Sequence, residues 1–383
     1  MALNSILRNT EIIHLFCDLS KYNQNIGYED DRSCCMNTYS ILKQLNLAYY
    51  GLDESSINND KNVFKNMVDL ISKPTHLNMC LFLKPGYTYN KDFMENIVLN
   101  DPYKLYKNIE KSEIPECFDY CNRFDISLAT KFETESYYDM EDDNGFNTIC
   151  REFFPYNGCK IYIPTICSDK EVVMQKYICD KTNSLVVCLE WGEEEMMMII
   201  MPYKPSSKKE LFDICQNYLN GDIISNYILK SKPQIYSKRY IPKISLGSNW
   251  VLNDIRNFEY SNNRNNNDDN NYYYLQIPIS NSIDFSKIYS SIDNTNNNNN
   301  NHQYMLSKST IKNCKSFDFC GYTLLRCFFM KTVEKVKDNL TIISRREKEI
   351  LKVNRSFIFI ILNKNNNLIS NMGLFVGNSN NVQ

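Results

Sequence analysis

Val353-Asn-Arg-Ser-Phe-Ile-Phe-Ile-Ile-Leu362, Asn363-Lys-Asn-Asn-Asn367 and Leu368-Ile-Ser-Asn-Met-Gly-Leu-Phe-Val376 close the chain with two apolar runs around five polar residues. Periodicity alone cannot tell a short apolar run from a buried helix, so length and β-branched or aromatic content decide, and here they favour strands. A polar turn between such runs makes an antiparallel hairpin. Neither run alternates polar with apolar, so both faces of the hairpin are expected to be covered. Phe357, Phe359, Ile361 and Met372 are therefore expected core residues.

The same pattern recurs upstream. Leu185-Val-Val-Cys-Leu189 and Met196-Met-Met-Ile-Ile-Met201 flank an acidic turn, Trp191-Gly-Glu-Glu-Glu195. The methionines read as a core strand that Pro202 ends, rather than as a metal or partner surface. Lys208 to Leu219 reads as a helix and Tyr240 to Leu246 as a strand. Ile12, Leu15, Phe16 and Leu19, then Ile41, Leu45, Ala48 and Tyr49, fall at helical spacing, so the first hundred residues read as mainly helical. Val333, Val336, Leu340, Ile343 and Ile350 give Thr332 to Leu351 the same spacing, an amphipathic helix. Helices first and strands later make an α+β protein.

The bulk numbers exclude more than they assert. A net charge of -2 gives no electrostatic case for nucleic acid or a membrane surface, and no stretch is long and apolar enough to span a bilayer. Met1 to Ser20 lacks a basic start followed by an apolar run, so no signal peptide is read and a cytoplasmic, monomeric protein is expected. Fifteen cysteines then read as reduced, mostly buried thiols. Cys117 and Cys121 have only His14, His76 and His302 as imidazole company, so neither a metal site nor a cofactor is expected. The same three histidines supply no nucleophile–base set and no phosphate-cradling glycine loop is present, so the chain does not read as an enzyme and no catalytic residue is assigned. The Asn-rich stretches 262–271 and 294–301 read as solvated loop insertions within a single domain, 1–383. The sequons at Asn339 and Asn354 read as coincidental in an Asn-rich chain.

Six segments in order resemble the serpin family. Asn37-Thr-Tyr-Ser-Ile41 with Leu45 to Gly51 is similar to the family's Ser-Pro-x-Ser-Ile helix start and Leu-x-x-Gly exit, with Ser40 keeping the second serine. Asn78-Met-Cys-Leu-Phe82 resembles an Asn-x-Leu-Phe strand, and Ile161-Tyr-Ile-Pro164 a Val-x-Val-Pro. Met201-Pro202 ends a hairpin like the family's Ile-Leu-Pro exit. Val353 to Phe359 and Met372-Gly373 look like the terminal Ala-Asp-Arg-Pro-Phe-Leu-Phe and Met-Gly-x-Val. The resemblance implies three β-sheets, an N-terminal helical cluster and a reactive loop near the C-terminus, about 321–355. The Asn-rich style most resembles serpins carried by poxviruses that replicate in the cytoplasm.

It also implies a function: inhibition of a serine endopeptidase by a loop that is cut and then inserts as a strand. Counting from Leu306-Ser-Lys308 puts Gly321 on the hinge glycine, with Tyr322, Leu324, Arg326 and Phe328 as the residues entering the core; otherwise Gly321 is an ordinary turn glycine. Fourteen residues forward from Gly321 is Lys335; eleven back from Ser356, which replaces the family's proline, is Arg345, followed by Arg346. Basic candidates imply a trypsin-like host protease, unless Arg345 to Glu349 is a solvated helix face. Bulky hinge residues imply weak or lost trapping, the alternative being a scaffold that binds a host protein without capture. Three departures point the same way: Leu128 replaces an Asn, Ile311 a His, and the usual Trp would fall near Ser136. Only about twenty residues, interrupted by Pro115, remain between Leu105 and Asp125 for the helix that crosses the main sheet.

Overall fold

The computed structural model describes residues 8–17, 32–39, 41, 77–82, 87–89, 129–134, 146–169, 171–191, 194–252, 289–291, 319–326 and 348–377. The two Asn-rich stretches, 327–347, Leu128, Ser136, Ile311 and Leu45 to Gly51 lie outside them.

The methionine run is β9 (Glu195–Pro202), paired antiparallel with β8 (Ser184–Trp191) from Trp191 opposite Glu195 to Ser184 opposite Pro202. The terminal hairpin is β15 (Phe357–Asn363) and β16 (Ile369–Phe375). β15 lies directly against β9, with Ile360 opposite Met198, and β1 (Cys34–Asn37) adds to the far edge of β16. Every residue of β15 and β16 is buried, as two apolar runs without alternation require. Phe357, Phe359, Ile361 and Met372 are all fully enclosed, and Met197, Ile199, Val187 and Leu189 join the first three in one core.

One face of this sheet is covered by helices. Ser207 and Glu210 form a reciprocal capping box that starts α2 (Lys208–Tyr218), one residue short of the expected end. Asn220, whose side chain accepts from the Ile223 amide at 2.9 Å, starts α3 (Gly221–Lys230), which the sequence reading did not identify. Helix α1 spans 8–17, and its Phe16 ring stacks on Phe212 with centroids 5.5 Å apart. Asn9 of α1 serves the terminal hairpin directly: it donates to Asn367 O at 2.7 Å and accepts from the Ile369 amide at 3.1 Å. Asn367 has φ 56, the left-handed turn conformation that Asn tolerates better than most residues.

The ten-stranded sheet continues through β7 (Val172–Cys179) and β10 (Lys232–Pro242) to β6 (Ile161–Ser168) and β5 (Phe146–Phe153) at its edge. The strand expected over Tyr240 to Leu246 is two elements: β10 ends at Pro242 and β11 (Ser245–Leu252) begins in a different ladder, paired with β13 (Phe319–Arg326). Two further ladders pair β2 (Leu77–Phe82) with β4 (Ala129–Thr134), and β3 (Tyr87–Tyr89) with β12 (Tyr289–Ser291). The helix expected over Thr332 to Leu351 does not run its full course, because Glu349–Lys352 is a strand, β14. Ile350 is half exposed and Leu351 is buried, the alternation of a strand rather than a helix face.

Candidate functional site

The stretch that the resemblance marks as a loop is bounded by paired strand at both ends. On the near side β13 pairs with β11 without interruption from Phe319 opposite Leu252 to Arg326 opposite Ser245. Gly321 faces Trp250 inside that ladder, and Tyr322, Leu324 and Arg326 face Asn249, Gly247 and Ser245. These four residues lie within the paired strand, of which Arg326 is the last residue. β13 also lies alongside β4, with no hydrogen-bonded ladder between the two among the described residues. Phe328, Lys335, Arg345 and Arg346 lie outside the described residues.

On the far side the chain is held tightly. β14 runs parallel to β10, with Lys238 opposite Ile350 and Tyr240 opposite Lys352. Lys176 grips both carboxylate oxygens of Glu349 at 2.7 and 2.6 Å, and Ser237 donates to the Glu349 carbonyl at 3.2 Å. Lys348 pairs with Glu171. Beyond β14, the Val353 amide donates to Tyr240 O and the Phe154 amide to Asn354 O, both at 2.9 Å. Arg355 donates to the Tyr203 carbonyl, and the buried Ser356 hydroxyl donates to the Pro155 carbonyl. Ser356 being enclosed, the Asn354 sequon is not presented as an exposed motif. Of the stretch 321–355, residues 321–326 and 348–355 are described, and 327–347 lie outside the described residues.

Buried polar side chains lie beside β14. Arg239 is buried, donates to Ser168 Oγ at 3.1 Å, and has its pKa pulled down to about 10 by that burial. Burial first, then the charges of Glu349 and Tyr203, pushes the Tyr236 phenol up. Nothing in this arrangement offers a nucleophile with a base beside it. Among the described residues no group of His, Cys, Asp and Glu has metal-holding geometry, no helix is long and apolar enough to cross a membrane, and nine cysteines, Cys17 to Cys215, are unbridged.

Sequence comparisons leave the chain alone: no protein-family model matches it, and no curated protein does. Solved structures behave differently. Uncleaved ovalbumin superposes with a TM-score of 0.62 at 10% identity, covering 98% of this chain and 99% of that one. Human thyroxine-binding globulin, solved in complex with thyroxine, gives 0.62 at 11% identity and 99% of both chains. The mouse protein Z-dependent protease inhibitor gives 0.62 at 12% identity, covering 98% of this chain and 97% of that one. Serpin48 of the insect Tenebrio molitor gives 0.60 at 11% identity, covering 97% and 96%. Near-complete superposition on these structures shows that this chain has the serpin fold.

Proposed function

We propose that the chain presents the residues between β13 and β14 as bait to a trypsin-like protease, and that it traps the enzyme weakly or not at all. The observation that carries this reading is the anchoring at both ends of a stretch containing Lys335, Arg345 and Arg346. Ser356, the anchor of the backward count, is firmly seated, and that count gives Arg345. Gly321, the anchor of the forward count, sits inside a strand. Moving that anchor past Arg326 shifts the counted bond away from Lys335 and toward Arg345, so Arg345 becomes the favoured reactive residue. The hinge moves likewise, to Cys327-Phe-Phe-Met-Lys331. The unladdered seam between β4 and β13 is where a cut strand would enter.

The solved neighbours include a thyroxine-binding protein and a protease inhibitor, so the fold does not choose between capture and plain binding. The bulk of Phe328, Phe329 and Met330 favours binding without capture as the second reading. In either case the chain works without catalysis, as a single domain and a monomer. The unbridged cysteines suit the cytoplasm, and the Asn-rich composition suits a virus-encoded protein acting on a host protease or another host protein. Limited trypsin digestion tests the reading. The expected result is a cut at Arg345 or Arg346 that Arg345→Ala and Arg346→Ala together remove, with no denaturant-resistant complex. A complex at near-stoichiometric yield refutes weak trapping, and a loop left intact refutes the bait itself.

A further inference from the structure

The lysines around β5, β6, β10 and β14 are mostly spoken for: Lys160 by Glu152, Lys176 by Glu349, Lys238 by Asp169 and Lys348 by Glu171. Two cations that are not so paired border one aromatic ring. The Arg151 guanidinium lies over Tyr240, 3.8 Å from the ring centroid, and its Nε has no hydrogen-bond partner among the described residues. Lys352 is the register partner of Tyr240, is exposed, and has no carboxylate partner among the described residues. Ile350 and Ile149, 50% and 43% exposed, share one side of the sheet, because Lys352, Tyr240, Cys167 and Asn147 are successive register partners and each isoleucine lies two residues from one of them. A chain of net charge -2 thus carries a local cationic face with an apolar rim, directly where the loop re-enters the sheet.

We infer that this face is a docking site for a carboxylate-rich segment of a protein partner. Arg151 and Lys352 would each engage a carboxylate, with the Tyr240 ring between them and the two isoleucines receiving apolar side chains at the edge. A partner reaching the loop would pass over this face, so the assignment rests on the bait reading for the partner's identity though not for the chemistry of the site. Charge complementarity at such an edge acts mainly on encounter and register, and is weakened by salt.

The probe is a fluorescein-labelled peptide alternating Glu and Tyr, followed by anisotropy with the intact protein. Expected is saturable binding whose Kd rises roughly tenfold between about 0.05 and about 0.3 M NaCl. Lys352→Glu should weaken it by about tenfold or more, and Ile350→Asp should weaken it too, while Lys204→Glu, the same charge change on an exposed lysine outside the β10–β14 ladder, should leave it unaltered. Both face variants alter exposed side chains, and an unchanged melting curve confirms that they fold. No binding, or equal binding by wild type and Lys352→Glu, overturns the assignment, as does an equal loss in Lys204→Glu. If trypsin leaves the loop uncut while the peptide binds as described, the bait reading fails and the docking face stands.

Discussion

Gly373 is the position where one added methyl group should do most damage. A Cβ built there would lie 2.4 Å from the Cys34 carbonyl oxygen and 2.4 Å from Cζ of Phe359, with Cε1 of the same ring at 2.7 Å. Each distance is about an ångström inside normal contact, and the obstacles differ in kind. The ring belongs to a fully enclosed side chain and has little room to swing. The carbonyl belongs to β1, paired residue for residue with β16 from Cys34 opposite Leu374 to Asn37 opposite Asn371, so it moves only with the ladder. Overpacking a core position costs about 1–3 kcal/mol, and two independent obstacles put Gly373→Ala at the upper end or beyond, about 3 kcal/mol. Phe359→Leu removes the ring at about 1 kcal/mol of lost packing but leaves the carbonyl. The double variant should therefore be less destabilised than the sum of the singles by about 1 kcal/mol or more, yet still worse than Phe359→Leu alone. Urea unfolding followed by tryptophan fluorescence and circular dichroism reads all four proteins. A Gly373→Ala loss below about 0.5 kcal/mol would show that β1 yields freely and would refute the reasoning. It would also remove the physical account of the Met-Gly pair that helped carry the family resemblance.

Lys208 opens α2 almost fully enclosed and its ammonium has no hydrogen-bond partner among the described residues, so Lys208→Met should raise stability by about 1–3 kcal/mol in urea unfolding. Ser207→Ala, which dismantles the capping box, should cost about 1 kcal/mol by the same measurement. Burial raises the Glu11 pKa to about 7 against the lowering effect of Arg8, so the folded state holds a proton that the unfolded state releases from about pH 4.5 upward. Stability should therefore be greatest below about pH 4.5 on this account and fall through pH 7, by no more than about 2 kcal/mol once solvent screening of a partly exposed group is allowed for; Glu11→Gln should flatten that part of the profile.

What was legible in the sequence follows from where the constraints are local. The terminal hairpin and the β8–β9 pair are apolar runs with polar turns between them, and each burial pattern is written in the run itself. Helix α3 was missed because Asn220-Gly221 reads as a break, whereas here Asn220 caps and Gly221 begins the helix. The β10–β11 division was missed because Pro242 and Lys243 mark a change of partner, and partners are not local. β14 was taken into a helix because Ile343 and Ile350 keep helical spacing by chance, while Glu349 is held by Lys176, a residue 173 positions away. That Gly321, the counted hinge glycine, lies inside the β11–β13 ladder was not legible for a related reason: its pairing with Trp250 is not local.

Placing the hinge after Arg326, as proposed, changes the mechanism's arithmetic and leaves its outcome. Leu325 lies opposite Leu246, whose side chain is in the core, so Gly321, Thr323 and Leu325 share one register position and Tyr322, Leu324 and Arg326 the alternate one. No barrier to insertion follows from burying Arg326, because Arg326 is already in the strand. The residues that would have to insert are those after it, and only two alternations exist: Phe328 with Met330, or Cys327 with Phe329 and Lys331. The first demands two large apolar groups at about 1–3 kcal/mol of overpacking each, and the second an aromatic ring and a lysine whose unpaired burial costs several kcal/mol, on the order of one buried charge. Neither alternation is the run of small residues that slips between strands. Cleavage at Arg345 should therefore leave the melting temperature nearly unchanged, whereas the cut form of Phe328→Ala, Phe329→Ala, Met330→Ala and Lys331→Ala combined should gain clearly over its intact form. A rise of roughly twenty degrees or more on cutting the natural protein, with an enthalpy to match, would mean that bulk at these positions is no obstacle. The weak-trapping reading would then fall, whatever protease made the cut.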